Sequence, residues 1–115
     1  MKVMRTSDIE AQKSTSKIFT GGKVFMQQVK GKTGNELRIA VVNFSPGAHC
    51  VFHTHTFDQI LYATKGEGVV ATEDEEIKME QGTWAIIPAG ERHWHGSRDK
   101  EFSHIAIMPP GETNF

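Results

Sequence analysis

Hydrophobic and polar positions alternate along the chain in short stretches. Residues typical of turns lie between these stretches. No stretch of a dozen residues shows the 3.6-residue apolar period of an amphipathic helix, and Gly, Pro and Asp recur between the apolar runs. This pattern predicts an all-β fold of short antiparallel strands, either a sandwich or a small barrel. The predicted strands are 23–29, 36–44, 59–64, 69–72, 77–80, 83–87 and 101–108, with a short β-like segment at 93–97.

Turn signals set the predicted connections between these strands. The sequence GKTG at 31–34 predicts a hairpin, and Ser45-Pro46-Gly47 predicts a turn in which proline fixes φ and glycine adopts positive φ. KGEG at 65–68 predicts a further turn, and the acidic run at 73–76 predicts a solvated hairpin tip. We therefore expect one domain over residues 1–115, with an irregular N-terminal arm at 1–21, a barrel at 22–108 and a tail at 109–115.

Composition narrows the classes of function. The chain has 115 residues and a net charge of −1, so it carries no electrostatic signature of a nucleic-acid or membrane partner. Cys50 is its single cysteine, which excludes an internal disulfide and suits a reducing compartment. The first residues contain no apolar stretch typical of a signal peptide. We expect a cytoplasmic protein whose partner is a small-molecule substrate.

The candidate chemistry lies in histidines spaced two apart. His53 and His55, followed by Gln59, would face the same side of a continuous strand, and His93 and His95 repeat the spacing. Imidazole is the most versatile neutral metal ligand, so this pattern indicates a metal site. Surface or core histidines are the alternative interpretation of each pair.

His104 shares its strand face with apolar residues. Phe102, Ala106 and Met108 have the same parity in the last predicted strand. A histidine on such a face must be paired, neutral or bound to something, because a buried charge is costly. A hydrogen-bonded core histidine is the alternative to a functional residue.

Two longer motifs resemble those of a known family, the cupins. Gly47-x5-His53-Thr-His55-x3-Gln59-x6-Gly66 is similar to the first cupin motif, and Gly82-x5-Pro88-Ala-Gly90-x2-His93 is similar to the second. The resemblance implies a single-domain jelly-roll barrel, commonly a homodimer, with one divalent metal ion. It further implies that the metal ligands are His53, His55, Gln59 and His93.

Gln59 stands where cupins usually carry glutamate. A neutral amide is a weaker ligand than a carboxylate and leaves the metal a stronger Lewis acid, although a metal-free, degenerate cupin is an alternative. The combination of PGA-x4-HTH-x3-Q with HWHG resembles the small cupins related to manganese-dependent hydroxynitrile lyases, in which glutamine is part of the pattern. This closer resemblance implies manganese first, with iron, nickel, zinc and cobalt as alternatives.

The same resemblance gives His95 and His104 the role of acid/base residues beside the metal. It implies a lyase or isomerase reaction on a small oxygenated compound, in which a histidine takes the hydroxyl proton of a cyanohydrin. Two other classes stay open, a cupin dioxygenase and a non-enzymatic metal- or ligand-binding cupin. The aromatic residues are expected to serve core or dimer-interface packing; they include Phe44, Trp84, Trp94 and Phe102.

Overall fold

The computed structural model describes residues 1–29 and 37–115, which form twelve short or medium β-strands and one turn of 3-10 helix at Thr6–Asp8. The strands are β1 (Gln12–Lys13), β2 (Phe19–Thr20), β3 (Val24–Val29), β4 (Arg38–Phe44), β5 (His49–Cys50), β6 (Thr54–His55), β7 (Gln59–Ala71), β8 (Glu76–Glu80), β9 (Trp84–Ile87), β10 (Trp94–Gly96), β11 (Phe102–Met108) and β12 (Thr113–Asn114). The predicted GKTG hairpin turn lies outside the described residues.

Antiparallel pairing connects ten of these strands in the order β1-β3-β4-β11-β7-β10-β5-β2, with β8 and β9 also pairing with β7. β6 and β12 form a separate two-stranded sheet. The prediction of an all-β, antiparallel fold is confirmed. Within residues 1–29 and 37–115, no helix has the length and apolar character needed to cross a bilayer.

Strand β7 corrects the prediction of a turn at 65–68. The two strands predicted at 59–64 and 69–72 are one strand of 13 residues, Gln59–Ala71. Its first part pairs with β9 and β11 and its second part with β8 and β10, with a register shift between Ser103 and His104. Gly66 adopts a φ of +72° at this point, where a Cβ would overlap the Glu101 carbonyl. The glycines therefore permit a bulge and close packing instead of a chain reversal.

The core lies between the inner faces of these strands. The aromatic residues predicted to pack in it differ in how deeply they are buried. Phe44 and Phe102 are buried and stack with ring centroids 5.9 Å apart, as predicted. Trp94 packs against the core while partly buried. Trp84 is 60% exposed on the outward face of β9, beside Tyr62, so core packing is wrong for this residue. Packing in a dimer interface stays a prediction for Trp84.

The predicted turn at 45–47 is confirmed. The Ala48 amide donates to the Ser45 carbonyl at 2.9 Å, and Gly47 adopts a φ of +86°. This turn directs the chain from β4 into β5, which leads to the first histidine motif.

Candidate metal centre

A bridge between the two histidine motifs builds the centre. The His53 amide donates to the His93 carbonyl at 2.9 Å, and the His93 amide donates back at 3.0 Å. His55 lies in β6, and Gln59 is the first residue of β7. One continuous strand from His53 to Gln59, as the spacing predicted, is absent, because residues 56–58 leave strand geometry. The backbone bridge, joining positions 40 residues apart, is what places the motifs side by side.

The side chains of both motifs converge in the interior. One ring nitrogen each from His53, His55 and His93 lies within 4.8 Å of the other two, and all three residues are buried. Gln59 Oε1 lies 3.1 Å from His55 Nε2 and 3.4 Å from His93 Nε2. The structure thus brings together the four residues predicted as metal ligands.

Backbone carbonyls set the protonated nitrogen of two of these rings. His53 Nδ1 lies 2.8 Å from the Val51 carbonyl, and His93 Nδ1 lies 2.8 Å from the Glu91 carbonyl. A carbonyl can only accept, so each Nδ1 carries the proton and each Nε2 presents a lone pair. The third ring differs, because His55 Nδ1 lies 2.8 Å from the hydroxyl of Thr113.

The resulting donor set fits a cation. The Nε2 lone pair of His93 faces the Oε1 of Gln59, and two acceptors at this distance repel unless a positive charge lies between them. Rotating the Gln59 amide by 180° would remove this repulsion, but it would also break the hydrogen bond that Gln59 Nε2 donates to Met108 Sδ at 3.3 Å. Three imidazoles and an amide oxygen are suitable ligands for a divalent transition metal. The residues present therefore fit the metal ion that the sequence predicts.

Burial keeps these histidines neutral, which metal binding requires. Burial is the largest of the effects that together lower the pKa of His53 from 6.5 to about 4; the Val51 carbonyl opposes the shift, and the charges that His93 and His55 would carry add to it. Burial also lowers the pKa of His55 and of His93. At neutral pH these imidazoles therefore do not have to lose a proton before they bind a cation.

His95 and His104 form a hydrogen-bonded pair next to this centre. His104 Nε2 lies 3.0 Å from His95 Nδ1. The His95 ring lies 5.6 Å from that of His53 and 5.8 Å from that of His93, whereas His104 packs 5.3 Å from Phe44. His95 therefore lies between His104 and the candidate ligands.

Both members of the pair are neutral, and their hydrogen bond couples their tautomers. Burial lowers the pKa of His104 to about 3 and that of His95 well below 6.5, with His104 itself contributing to the latter. The shared hydrogen bond contains one proton, so one outer nitrogen of the neutral pair, His95 Nε2 or His104 Nδ1, must be bare. His104 Nδ1 is buried without a hydrogen-bond partner among the described residues. The pair can accept a proton at one end.

Three contributors to the site carried no decisive sequence signal. Thr113 lies 58 residues from His55, and Met108 lies 49 residues from Gln59, so no local pattern links them. Cys50 Sγ lies 3.7 Å from His95 Nδ1, and burial raises the pKa of its thiol to about 12. Cys50 is therefore an unreactive wall of the site, not a nucleophile.

Comparison with known proteins identifies the family. The chain matches the family described as "Cupin domain" over residues 40–113. It is 39% identical over 73 residues to an (R)-mandelonitrile lyase from Granulicella tundricola, covering 60% of this chain and 54% of that protein. The chain thus spans about half the length of this curated relative.

Solved structures agree with this match. A cupin-like protein from Thermotoga maritima has a TM-score of 0.78 at 30% identity, covering 87% of this chain and 81% of that one. A polyketide cyclase from Streptomyces resistomycificus has a TM-score of 0.87 at 15% identity, covering 99% of this chain and 84% of that one, and shares the fold. The predicted jelly-roll fold is confirmed, and the chain belongs to the cupin family.

Proposed function

We propose that this cupin is a metal-dependent lyase that cleaves small hydroxynitriles related to (R)-mandelonitrile. The observation that carries the proposal is the neutral, buried His95 beside a set of ring nitrogens and an amide oxygen that fits a cation. The similarity to a mandelonitrile lyase supports the choice of substrate class. The observed cupin fold by itself would host many other reactions.

The ligands of the proposed metal are His53, His55, Gln59 and His93. Manganese is the ion we propose first, with iron, nickel, zinc and cobalt as alternatives. A divalent cation held there would supply Lewis acidity, which favours loss of a proton from a substrate hydroxyl. The uncharged amide of Gln59 neutralises none of that positive charge, unlike a glutamate at this position.

His95 is the base in this proposal, and His104 orients it. With the shared proton on His95 Nδ1, donated to His104 Nε2, the Nε2 of His95 is bare and takes the substrate's hydroxyl proton. The bond between the carbinol carbon and the nitrile carbon then breaks, and its electron pair leaves with cyanide. His95 returns the proton to cyanide, so that the products are an aldehyde and hydrogen cyanide.

A cleft among the described residues reaches one of the candidate ligands, His93. His93 lines a cleft of about 220 Å³ together with Val70, Ile87 and Glu91. This volume lies below the roughly 300–1,000 Å³ of pockets that hold drug-sized ligands. The lining combines apolar residues such as Val70 and Ile87 with Thr72, Thr83 and Glu75, and it does not include His95, so a path from this cleft to the base is part of the proposal.

The test is benzaldehyde release from (R)-mandelonitrile by manganese-loaded protein, with and without oxygen. We expect cleavage that is independent of oxygen, a loss of about 10²–10⁴-fold in His95→Ala with manganese content unchanged, and loss of manganese in His55→Ala. His49→Gln, which replaces a histidine outside the two clusters, is the matched control and should retain activity. Full activity of His95→Ala would refute the assignment of the base, and oxygen-dependent turnover would favour a dioxygenase.

A further inference from the structure

The C-terminal residues return to the candidate metal centre as a strand. β12 pairs antiparallel with β6, with Thr113 opposite His55. The Thr56 amide donates to the Glu112 carbonyl at 3.0 Å, and the Glu112 amide donates to the Thr56 hydroxyl at 2.9 Å. Gly111 fits tightly against Phe57, where a Cβ would overlap the ring. Together these contacts hold residues 111–114, which we name the C-terminal clasp, against the strand that carries His55.

The clasp provides the hydrogen-bond partner of His55 Nδ1. The other two candidate histidine ligands have a partner at Nδ1 from nearby residues in the chain. His53 and His93 are each held by a carbonyl two residues earlier in the chain. For His55 the corresponding atom is Thr113 Oγ1, 2.8 Å from Nδ1, contributed from 58 residues away. A metal-ligating histidine needs a hydrogen-bond acceptor at its other nitrogen, which fixes the ring orientation and the tautomer.

His55 has polar contacts at both of its ring nitrogens. Its Nε2 lies 3.1 Å from Gln59 Oε1, an acceptor that favours a proton on Nε2. A proton at that nitrogen blocks metal ligation. The Thr113 hydroxyl can donate to a bare Nδ1 or accept from Nδ1–H, so it keeps this hydrogen bond in either tautomer and accepts from Nδ1 when a cation takes the lone pair of Nε2.

We propose that Thr113 is a positioning residue for the metal centre, and that the C-terminal clasp completes that centre by fixing the orientation of the His55 ring and accepting from Nδ1–H when Nε2 binds a cation. The inference rests on the metal site of the proposed function. Because docking of the clasp favours metal binding, metal binding must stabilise the docked clasp by the same free energy.

The experiment measures the dissociation constant of Zn²⁺ by competition with a chromophoric chelator, using the full chain. Thr113→Val keeps the size and β-propensity of the side chain and removes the hydroxyl, and we expect it to weaken Zn²⁺ binding by about 10–100-fold. Thr113→Ser returns the hydroxyl and should restore most of the affinity. Thr20→Val makes the same change at an exposed threonine of β2, outside the clasp and the candidate ligands, and as the matched control it should bind like the wild type.

A second readout separates positioning from simple support of the fold. In the Zn²⁺-loaded wild type and in Thr113→Ser, ¹⁵N spectra should show His55 Nδ1–H protected from solvent exchange, and in Thr113→Val this protection should be lost. Wild-type affinity in Thr113→Val, or no restoration in Thr113→Ser, would overturn the proposal for Thr113 and leave the proposed function standing. A wild-type chain that takes up neither Zn²⁺ nor Mn²⁺ would overturn both.

Discussion

Mild acid is expected to destabilise the metal-free protein steeply, because folding buries neutral histidines. Burial lowers the pKa of His53 to about 4 and that of His104 to about 3, from an ordinary value of 6.5. The unfolded chain therefore binds more protons than the folded chain between these values. The contribution of these groups to stability is fully present above pH 6.5 and is lost as the pH falls toward the folded-state pKa values.

The size of the effect follows from these pKa values. At pH 5 an unfolded histidine is almost fully protonated, whereas His53 and His104 are mostly neutral in the fold. Proton linkage then gives a loss of about 2 kcal/mol for each of the two between pH 7 and pH 5. His55, His93 and His95, whose pKa values are also lowered, act in the same direction. The total of at least about 4 kcal/mol is a large part of the roughly 5–15 kcal/mol that stabilises a typical domain.

The assay is urea unfolding of chelator-treated protein at pH 7 and pH 5, followed by tryptophan fluorescence. The wild type should lose at least about 4 kcal/mol of unfolding free energy between the two conditions. His104→Met removes one buried titrating group, so its loss should be smaller by about 2 kcal/mol, whatever its absolute stability. A wild-type loss below about 1 kcal/mol, or an equal loss in His104→Met, would refute the assignment of buried neutral imidazoles.

Two further substitutions test the packing and the ligand set. Gly68→Ala places a Cβ against the ring of Phe102, so the free energy of unfolding should fall by about 1–3 kcal/mol in urea titrations; an unchanged value would contradict this contact. Gln59→Glu replaces an amide oxygen by a carboxylate, so Zn²⁺ affinity in chelator competition should rise by about tenfold or more. Weaker Zn²⁺ binding in Gln59→Glu would exclude this side chain from the ligands.

Most of the fold could be predicted because strand periodicity and turn chemistry are local. The strand predicted at 101–108 is Phe102–Met108, and the strand predicted at 83–87 is Trp84–Ile87. The turn predicted at 65–68 failed, since glycines at a bulge and glycines in a turn have the same local signature. Only the contacts of Gly66 with Glu101 and of Gly68 with Phe102, across the sheet, distinguish the two.

The candidate site was predictable as a set of residues but not as a geometry. Motif spacing selected His53, His55, Gln59 and His93, and the structure brings them together. His53 and His55 do share a face, with Thr54 less buried between them, but Gln59 does not belong to the same strand, because residues 56–58 interrupt β geometry between β6 and β7. A bridge between distant segments decides the convergence, and no local pattern encodes such a bridge.

The hydrogen-bond partners of the histidines could not be predicted from the sequence, because they too depend on contacts between distant segments. A ligating histidine requires an acceptor at its second nitrogen, but the chemistry is met equally by a carbonyl at Val51 or by a hydroxyl at Thr113. Which group provides it depends on where the C-terminal strand lies. Motif spacing alone therefore selects the candidate ligands and misses the residues that hydrogen-bond their second ring nitrogens.

The expected acid sensitivity and the proposed metal affinity have the same physical cause. Burial holds His53 and His93 neutral, and the carbonyls at their Nδ1 atoms leave Nε2 bare, which makes the pair costly to protonate and ready for a cation. If these histidines had the pKa of a free imidazole, protons would compete with the metal near neutral pH. Acid would then reduce the free energy of unfolding of the metal-free protein only slightly. The urea and chelator experiments should therefore agree, and stability that is insensitive to acid together with tight metal binding would contradict this account.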